Sequence, residues 1–451
     1  VYKRQYLFLI KIGRLVMILK KIADLIWGDW LVVLIFITGL HYTIRLKGIQ
    51  FRKFGYIVKK TFFEKNKKMD KNKITSIQAL TAALGSCIGN GNIIGVVTAV
   101  MFGGPGALFW MWVAACTGMA IKYGEISLGM LYREKNKNGE YNGGPMYYIS
   151  KGLNMKFLGI LYAVLLLVQN SGGTLIQGNV IKDIFHDFMN FPPIITSVVV
   201  GLFIGFVITG GLKRLVKTMD KIVPFMTCLY FIAGLLIIGI NIEKIPELFS
   251  LIFKSAFGLT PAIAGAMGFS VKQGLRYGIS RGIYSNESGE GTAAIFYSKI
   301  TENDCKDHGL YGIMEVFIDT MIVCTISGLV SLLYIDYSQT ATPIQVMVTS
   351  FESIHYSFKY FLGLSMVLFG MTSILGQWIL GKESFKYITD QFISKKDFTI
   401  YYNIVFLIIL CISPHFSFKT VWYIQDIALG ILILPNLFAL NRLAEKIKLE
   451  D

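Results

Sequence analysis

The residues best suited to binding a small solute lie in a glycine-rich segment with no charged side chain around it. Residues 74–121 contain no Asp, Glu, Lys or Arg, and the middle of this stretch reads Gly85-Ser-Cys-Ile-Gly-Asn-Gly-Asn-Ile-Ile-Gly95. Crossing a bilayer takes about 20 apolar residues, so the stretch is long enough for two crossings joined near residues 103–106. A lipid-facing helix would carry Leu and Val at mid-depth. The pattern therefore predicts a helix interrupted inside the membrane, whose free backbone groups can hold an ion or a polar solute.

A second segment of the same character follows at residues 257–268, which read Phe257-Gly-Leu-Thr-Pro-Ala-Ile-Ala-Gly-Ala-Met-Gly268. Small residues four apart, such as Gly85 and Gly89, also occur where two helices pack closely, and this is the plainer explanation of either segment alone. Two interruptions at corresponding places in the two halves of a chain are instead typical of transporters built from inverted repeats.

The composition fixes the class of protein and excludes others. The chain has 451 residues, is 54% hydrophobic and 16% charged, and has a mean hydropathy of +0.56. Soluble proteins carry about 25% charged residues, so this is a polytopic membrane protein in contact with the lipid bilayer. The net charge of +16 reflects Lys and Arg in cytoplasmic loops rather than nucleic-acid binding. The five histidines are scattered and no phosphate-binding loop is present, so neither an enzyme nor an ATP-driven pump is indicated.

Apolar runs predict eleven spans and an all-α fold. The predicted spans are 30–46, 75–102, 106–130, 156–179, 192–212, 222–241, 255–279, 310–334, 359–381, 399–413 and 419–440. The basic loop 45–73 belongs in the cytoplasm, and alternation along the chain then places the C-terminus there too, in a bacterial or archaeal cell membrane. Residues 1–73 form an amphipathic helix, an accessory span and the basic loop; 74–241 and 242–451 form two repeats of five helices each.

Several motifs resemble one known family. Residues 103–112 (GGPGALFWMW), 91–96 (GNIIGV), 143–149 (GGPMYYI), 285–287 (SNE) and 317–320 (FIDT) are similar to the signatures of the alanine/glycine:cation symporters, also called the sodium:alanine symporter family. The resemblance implies a LeuT-type fold, with a 5+5 inverted repeat and one extra N-terminal transmembrane helix. It also implies import of a small neutral amino acid by alternating access, with Na+ as the coupling ion.

The resemblance also implies the residues of the site. Amide N–H groups at the interruption would hold the substrate carboxylate, and carbonyl and hydroxyl oxygens would hold sodium. The implied substrate contacts are Cys87, Gly89, Gly91, Asn92, Gln177, Ala264, Gly265, Met267, Gly268 and Gln377. The implied metal ligands are Gly85, Ile88, Phe369, Thr372 and Ser373. From the residues alone, Thr372 and Ser373 could equally bond their own helix, and Gln177 could join two helices.

The sequence departs from the family pattern at a few positions. Asn90 stands where the family usually has Thr, Gln377 where it usually has Trp, and Glu290 where an apolar residue is usual. A glutamine in place of an indole makes the pocket more polar, so glutamine is an alternative substrate to alanine or glycine. Proton coupling is an alternative to sodium coupling, and a channel is the alternative of a different class.

Three further acidic or basic features have interpretations that the structure can test. Lys122 and Glu125 stand three residues apart and suggest a local ion pair. Glu287 and Glu290 suggest a cytoplasmic loop that could latch a gate through Arg276 or Arg281, with ordinary solvated loop charges as the commoner alternative. Asp319 lies inside the span 310–334, where it has either a structural or a functional role. The oligomeric state is not predicted.

Overall fold

The computed structural model describes residues 2–63, 74–136, 139–259, 270–301, 308–337, 341–393 and 397–447. The helices of the first half are α1 Tyr2–Ile26, α2 Asp29–Arg45, α3 Ile49–Arg52, α4 Phe54–Phe62, α5 Ser76–Cys87, α6 Val96–Gly103, α7 Gly106–Leu131, α8 Pro145–Tyr147, α9 Lys156–Met189, α10 Pro193–Thr209 and α11 Gly211–Ile240. Those of the second half are α12 Ile245–Ala256, α13 Val271–Asn286, α14 Thr292–Ser298, α15 His308–Val316, α16 Thr325–Tyr334, α17 Pro343–Glu352, α18 Phe358–Phe392, α19 Thr399–Ile412 and α20 Phe418–Leu443. Strands β1 Glu134–Lys135 and β2 Tyr141–Asn142 pair antiparallel.

Short segments of other helical types connect several of these helices. Wider π-helical turns occupy Gly91–Gly95, Tyr148–Gly152 and Phe317–Cys324, and 3-10 turns occupy Ile242–Lys244, Ser413–His415 and Ala444–Lys446. The first and third π-helical turns lie inside membrane spans. Such turns are frequent at functional sites because they displace side chains from the regular helical positions.

Within the described residues, six helices are long and apolar enough to cross a membrane, or up to seven if one bent pair is counted as a span. Two shorter apolar helices, α10 and the segment Thr399–His415, accompany them. The prediction of an all-α polytopic membrane protein is therefore confirmed. The count of eleven spans stays a prediction.

The first interruption lies where the sequence predicts it. α5 begins with a capping box, in which Thr75 and Gln78 satisfy each other's backbone N–H groups. It ends at Cys87, and Ile88 adopts an extended conformation with φ −72° and ψ 94°. The chain resumes as the π-helical turn Gly91–Gly95 followed by α6, and the two halves of the span meet at 59°. The break between residues 88 and 90 is thus confirmed.

The described chain has a second break between α13 and α14, whereas most of the interruption predicted at residues 257–268 lies outside the described residues. α13 begins at Val271 with a capping box on Ser270, and residues 260–269 of the predicted span 255–279 lie outside the described part of the chain. α13 ends where Glu287 takes a left-handed φ of 54°, and α14 starts only after Gly289 and Gly291, which also have positive φ. Two glycines in this region allow the reversal, because other residues are strained there.

The interpretation of Glu290 as a solvated loop charge is wrong. Glu290 is 1% exposed, and the whole segment from Ser288 to Thr292 is buried between neighbouring helices. The charges made the segment resemble a solvated loop, although the backbone there is a buried break between α13 and α14.

The core is organised around two long helices. α9 packs along α18, and α5 lies against both α11 and α18. α7 packs against α13, α14 and α15 on the other side of the first interruption. The two interrupted spans are therefore enclosed by complete helices, which is the arrangement that backbone free of helical hydrogen bonds requires in a membrane.

The N-terminal helices contact both halves of the core. The Trp27 indole donates to the carbonyl oxygen of Asp426 on α20 at 2.9 Å, and the Tyr42 hydroxyl donates to the carbonyl oxygen of Leu440 at 2.8 Å. α2 also packs against α7. The division of the chain at residues 73 and 241 stays a prediction.

We predict that Gly124→Ala destabilises the packing of α2 on α7. A Cβ at Gly124 would lie 2.2 Å from Cε1 of Tyr42, whose hydroxyl is held by Leu440. The strain should lower the free energy of unfolding by about 1–3 kcal/mol. Thermal unfolding in detergent measures it, with Gly239→Ala as control because a Cβ there meets nothing within 4 Å. Equal melting temperatures for the two variants would contradict the prediction.

Candidate functional site

The first interruption is closed on itself by one asparagine. The backbone N–H of Gly89 donates to Oδ1 of Asn92 at 3.0 Å, and the backbone N–H of Asn92 donates to the carbonyl oxygen of Gly89 at 3.1 Å. Asn92 is fully buried. The side-chain amide thus replaces a hydrogen bond that the helix would otherwise make, and it holds the loop in a fixed shape.

Gly89 lies where helices α9 and α18 both approach the interruption. A Cβ at this position would be 2.4 Å from Oγ of Ser373 and 2.9 Å from Nε2 of Gln177. The Nδ2 group of Asn90 donates to Oε1 of Gln177 at 2.8 Å, while Oδ1 of Asn90 is buried without a partner. The structure therefore brings three predicted residues together, Gly89, Gln177 and Ser373, and adds Asn90 to them.

The predicted metal ligands lie on α5 and α18, which pack against each other. A Cβ at Gly85 would be 3.6 Å from Cβ of Thr372. The Thr372 hydroxyl donates to its own helix, with the carbonyl oxygens of Leu368 and Phe369 each at 3.1 Å. This bond uses the hydroxyl proton and leaves lone pairs on the oxygen. Ser373 Oγ is buried and has no protein partner.

Ile88 and Cys87, the other two predicted residues of this segment, are both buried. The extended conformation of Ile88 takes its carbonyl out of the α5 ladder, which is what a carbonyl ligand needs. The Cys87 thiol lies 3.7 Å from the carbonyl oxygen of Leu84 in its own helix, so its nearest polar contact is local.

Gln377, not Trp378, faces helix α9. Oε1 of Gln377 accepts a hydrogen bond from the Thr174 hydroxyl at 3.0 Å, and a Cβ at Gly173 would be 2.4 Å from its Nε2. The Trp378 indole instead donates to Oδ1 of Asn403 on α19 at 2.8 Å. Gln377, on α18, therefore contacts α9 at Thr174, which is one helical turn before Gln177. The two side-chain amides thus lie at neighbouring turns of α9.

Of the five remaining predicted residues, the structure describes Gly91 alone. Gly91 lies under the ring of Tyr284, because a Cβ there would be 3.1 Å from the ring atom Cε1. Tyr284 was not predicted, although it directly precedes the quoted SNE motif. It stacks on Trp422 with ring centroids 5.4 Å apart. Ala264, Gly265, Met267 and Gly268 lie outside the described residues.

Asp319 connects the two interrupted spans, and sequence reasoning left it out of the site. Its Oδ1 accepts from Nδ2 of Asn92 at 2.6 Å, and its Oδ2 accepts from the hydroxyls of Ser285 and Thr320, each at 2.8 Å. The side chain is 0% exposed and lies in the π-helical turn Phe317–Cys324. All three donors are neutral, so they orient the carboxylate without cancelling its charge.

The second interruption is held by a carboxylate. Oε1 of Glu125 accepts from the backbone N–H of Gly289 and from Nδ2 of Asn436, both at 2.9 Å, and the same Nδ2 donates to the carbonyl oxygen of Gly289 at 2.8 Å. The Tyr148 hydroxyl donates to Oδ1 of Asn436. A carboxylate accepting a backbone N–H makes a stronger hydrogen bond than a neutral amide does.

The predicted ion pair between Lys122 and Glu125 is wrong. Lys122 pairs with Glu315 of α15 at 2.8 Å, with the two side chains 0% and 1% exposed. Spacing along one helix allowed the local pair, but the tertiary contact with α15 supplies a better partner, and Glu125 is committed to the second interruption. The described contacts of the two arginines do not include the predicted latch, because Arg276 pairs with Asp24 at 2.8 Å and Arg281 pairs with Asp426 at 3.4 Å.

A cavity of about 700 Å³ lies beside the first interruption. Its lining includes Ile94 and Val180, which follow Asn92 and Gln177 by two and three residues. The Arg281–Asp426 pair and the aromatic residue Trp422 also line it. By the predicted topology the cavity lies toward the outer face.

A buried ion pair joins the end of α14 to α18. Lys299 bonds Glu383 at 2.6 Å and Asn142 at 3.1 Å, which ties the end of α14 to α18 and to β2. Burial lowers the pKa of Lys299 below its usual range, and Glu383 partly offsets this effect.

We predict that Glu315→Gln destabilises the protein more than removal of the whole pair. The single change leaves the Lys122 ammonium buried without its counter-charge, at a cost of about 3–5 kcal/mol. Lys122→Met/Glu315→Leu removes both members of the pair, so the melting temperature in detergent should recover toward the wild-type value. A double variant less stable than the single one would contradict the prediction.

Comparisons with known proteins agree on one group. The model of the sodium:alanine symporter family matches residues 13–450. The sodium/alanine symporter AgcS of Methanococcus maripaludis is 34% identical over 434 residues, covering 94% of each chain. "Probable sodium/glutamine symporter GlnT" of Bacillus subtilis is 31% identical over 430 residues, covering 94% of this chain and 87% of its own.

A solved structure confirms the fold. The structure of MhsT in complex with L-phenylalanine matches with a TM-score of 0.59 at 13% identity, covering 81% of this chain and 88% of that one. At this identity the match concerns the fold alone. The predicted LeuT-type fold is confirmed.

Proposed function

The chain belongs to the sodium:alanine symporter family, and from this premise we propose that it imports a small neutral amino acid of the alanine and glycine class together with sodium. Members of this family are amino acid symporters, a class of transporters and not enzymes. The observation that carries the proposal is the first interruption, where free backbone groups, Gln177 and Ser373 converge beside a cavity.

The geometry around Gly89 and Gly91 supports a small substrate. Side chains of α9 and α18 approach Gly89 so closely that even a methyl group there would collide, and the Tyr284 ring of α13 lies against Gly91. The unpaired Oδ1 of Asn90 and the Gln177 amide beside it offer hydrogen bonds to a zwitterion. Asp319 adds a negative charge behind Asn92, where the ammonium group of a substrate would be favoured.

The contact of α5 with α18 supports the sodium site. Sodium is a hard cation that prefers oxygen ligands, and unwound carbonyls supply them in carriers of this architecture. The carbonyls of Gly85, Ile88 and Phe369 and the hydroxyls of Thr372 and Ser373 are the proposed set. Ser373 Oγ, buried without a protein partner, has a hydrogen-bonding capacity that an ion would use.

The cavity and the buried ion pair support alternating access. The cavity lies beside the first interruption, and the Lys299–Glu383 pair joins the end of α14 to α18. We propose that this conformation faces outward, with the C-terminus in the cytoplasm, and that inward release requires α14 to separate from α18.

We predict that uptake of labelled alanine into proteoliposomes requires a sodium gradient, and that Thr372→Ala weakens the sodium response. Loss of one oxygen ligand should raise the sodium concentration for half-maximal uptake by about tenfold, equivalent to about 1.4 kcal/mol. Ser365→Ala is the matched control, because Ser365 is a buried hydroxyl on the same helix bonded to Phe361. An unchanged sodium response in Thr372→Ala would remove the proposed ion site.

Glutamine is a second candidate substrate, favoured by the position of Gln377. The Gln377 amide, carried by α18, lies against Thr174 of α9. It makes the surroundings of the pocket more polar than an apolar side chain would. A longer polar side chain could exchange hydrogen bonds with Gln377 or Asn90. Alanine or glycine stays the first choice, because the approach of side chains to Gly89 leaves little room.

We predict that Gln377→Leu lowers glutamine counterflow more than alanine counterflow. The change removes the hydrogen bond between the Thr174 hydroxyl of α9 and the Gln377 amide of α18. It also removes an amide with which a polar substrate could form a hydrogen bond. Gln391→Leu, further along the same helix, should affect neither. Strong glutamine counterflow without alanine counterflow in the wild type would exclude the first choice of substrate.

A further inference from the structure

Glu290 stands at the centre of the second interruption and is held there by its backbone. Its N–H donates to the carbonyl oxygen of Glu287 at 3.2 Å, and its carbonyl oxygen accepts from the Tyr162 hydroxyl of α9 at 2.6 Å. The residue is 1% exposed, and Oε2 of its side chain has no hydrogen-bond partner. A carboxyl group is therefore fixed in a buried place where one of its two oxygens has no hydrogen-bond partner.

The groups facing Glu290 do not provide a free positive charge. Those that act on it or on its immediate neighbours are Glu287 of the same interruption, Lys122 and Glu125 of α7, Tyr162 of α9 and Tyr284 of α13. The lysine is already paired with Glu315 at 2.8 Å. Glu125 is committed to the Gly289 N–H, and Glu287 accepts from the Thr292 hydroxyl at 2.6 Å.

An ionised carboxylate in such surroundings is expensive. Removing a carboxylate from water costs several kcal/mol even after the protein relaxes, and the cost is repaid only by a close, well-placed cation. Here the nearest cation is shared among several carboxylates, and like charges raise the cost further. The neutral carboxylic acid avoids both the cost of desolvating a charge and the repulsion from neighbouring carboxylates.

We propose that Glu290 is a proton-binding site whose occupancy holds the cytoplasmic half of the molecule closed. In the conformation described, the carboxyl group carries its proton. When α14 moves and water enters, the O–H bond breaks heterolytically, the proton passes to water and a carboxylate remains. The step involves no oxidation, and water is the only other reactant.

The position of Glu290 makes this proton sensitive to the transport cycle. α14 follows directly after Gly291, and the other end of α14 is tied to α18 by Lys299 and Glu383. Separation of α14 from α18, the inward-opening step of the proposed function, would expose the interruption to the cytoplasm. The inference rests on that proposal for its place in the cycle. The protonation itself depends only on the burial and the neighbours of Glu290.

Infrared spectroscopy of the purified protein tests the site without substrate or sodium. We expect a protonated-carboxyl stretching band at neutral pH that Glu290→Gln removes and that the exposed control Glu243→Gln retains. Glu290→Leu repeats the measurement if the glutamine variant folds poorly, with elution and melting temperature as the check of folding. Spectra in which neither Glu290 variant loses a band would overturn the proposal.

Labelling of an introduced thiol tests the link to opening. Ser298 is buried at the end of α14, so a thiol in Ser298→Cys should react slowly at neutral pH and faster as the pH rises. Part of this increase is the ordinary ionisation of the thiol, and the remainder is the part expected from opening. In Ser298→Cys/Glu290→Gln the remainder should be lost. Identical pH profiles for the two proteins would overturn the link. Failure of sodium-driven uptake, with the infrared band present, would instead count against the proposed function alone.

Discussion

No water is available inside a bilayer to satisfy a backbone that leaves its helix, and this constraint governs the structure. Each interruption needs side chains that replace the lost hydrogen bonds. Asn92 does this at the first interruption through its amide, and Glu125 does it at the second through a carboxylate. The enclosing helices α7, α9 and α18 follow from the same need, because such side chains must be carried on elements that stay intact.

The two interruptions differ in their electrostatics. The first is lined by neutral amides and hydroxyls, which can exchange partners with a substrate at small cost. The second is surrounded by carboxylates and a single paired lysine, Lys122. Asp319 lies between them, bonded to Asn92 on one side and to Ser285 on the other. Asp319 therefore links the first interruption to the end of α13 that leads into the second.

The sequence revealed what is local and missed what depends on distant contacts. Glycine and asparagine inside an apolar run are a local signal, so the first interruption was predicted at the right place. Charges between glycines look the same in a loop and in a buried break, so Glu290 was misassigned. The bond of Glu125 to Gly289 joins residues 164 positions apart, and no periodicity indicates it. Gln177 and Ser373 were predicted from the family resemblance, and the structure brings both to Gly89.

Helix α20 carries contacts with both ends of the pathway. Asp426 pairs with Arg281 in the cavity, and Asn436 bonds Glu125 and Gly289 at the second interruption. Pro435 lies inside the helix between these contacts, and it removes one backbone hydrogen bond there. A hinge at this proline would allow the contact at one end of the helix to break while the contact at the other end is kept, so that the two compartments are never connected at once.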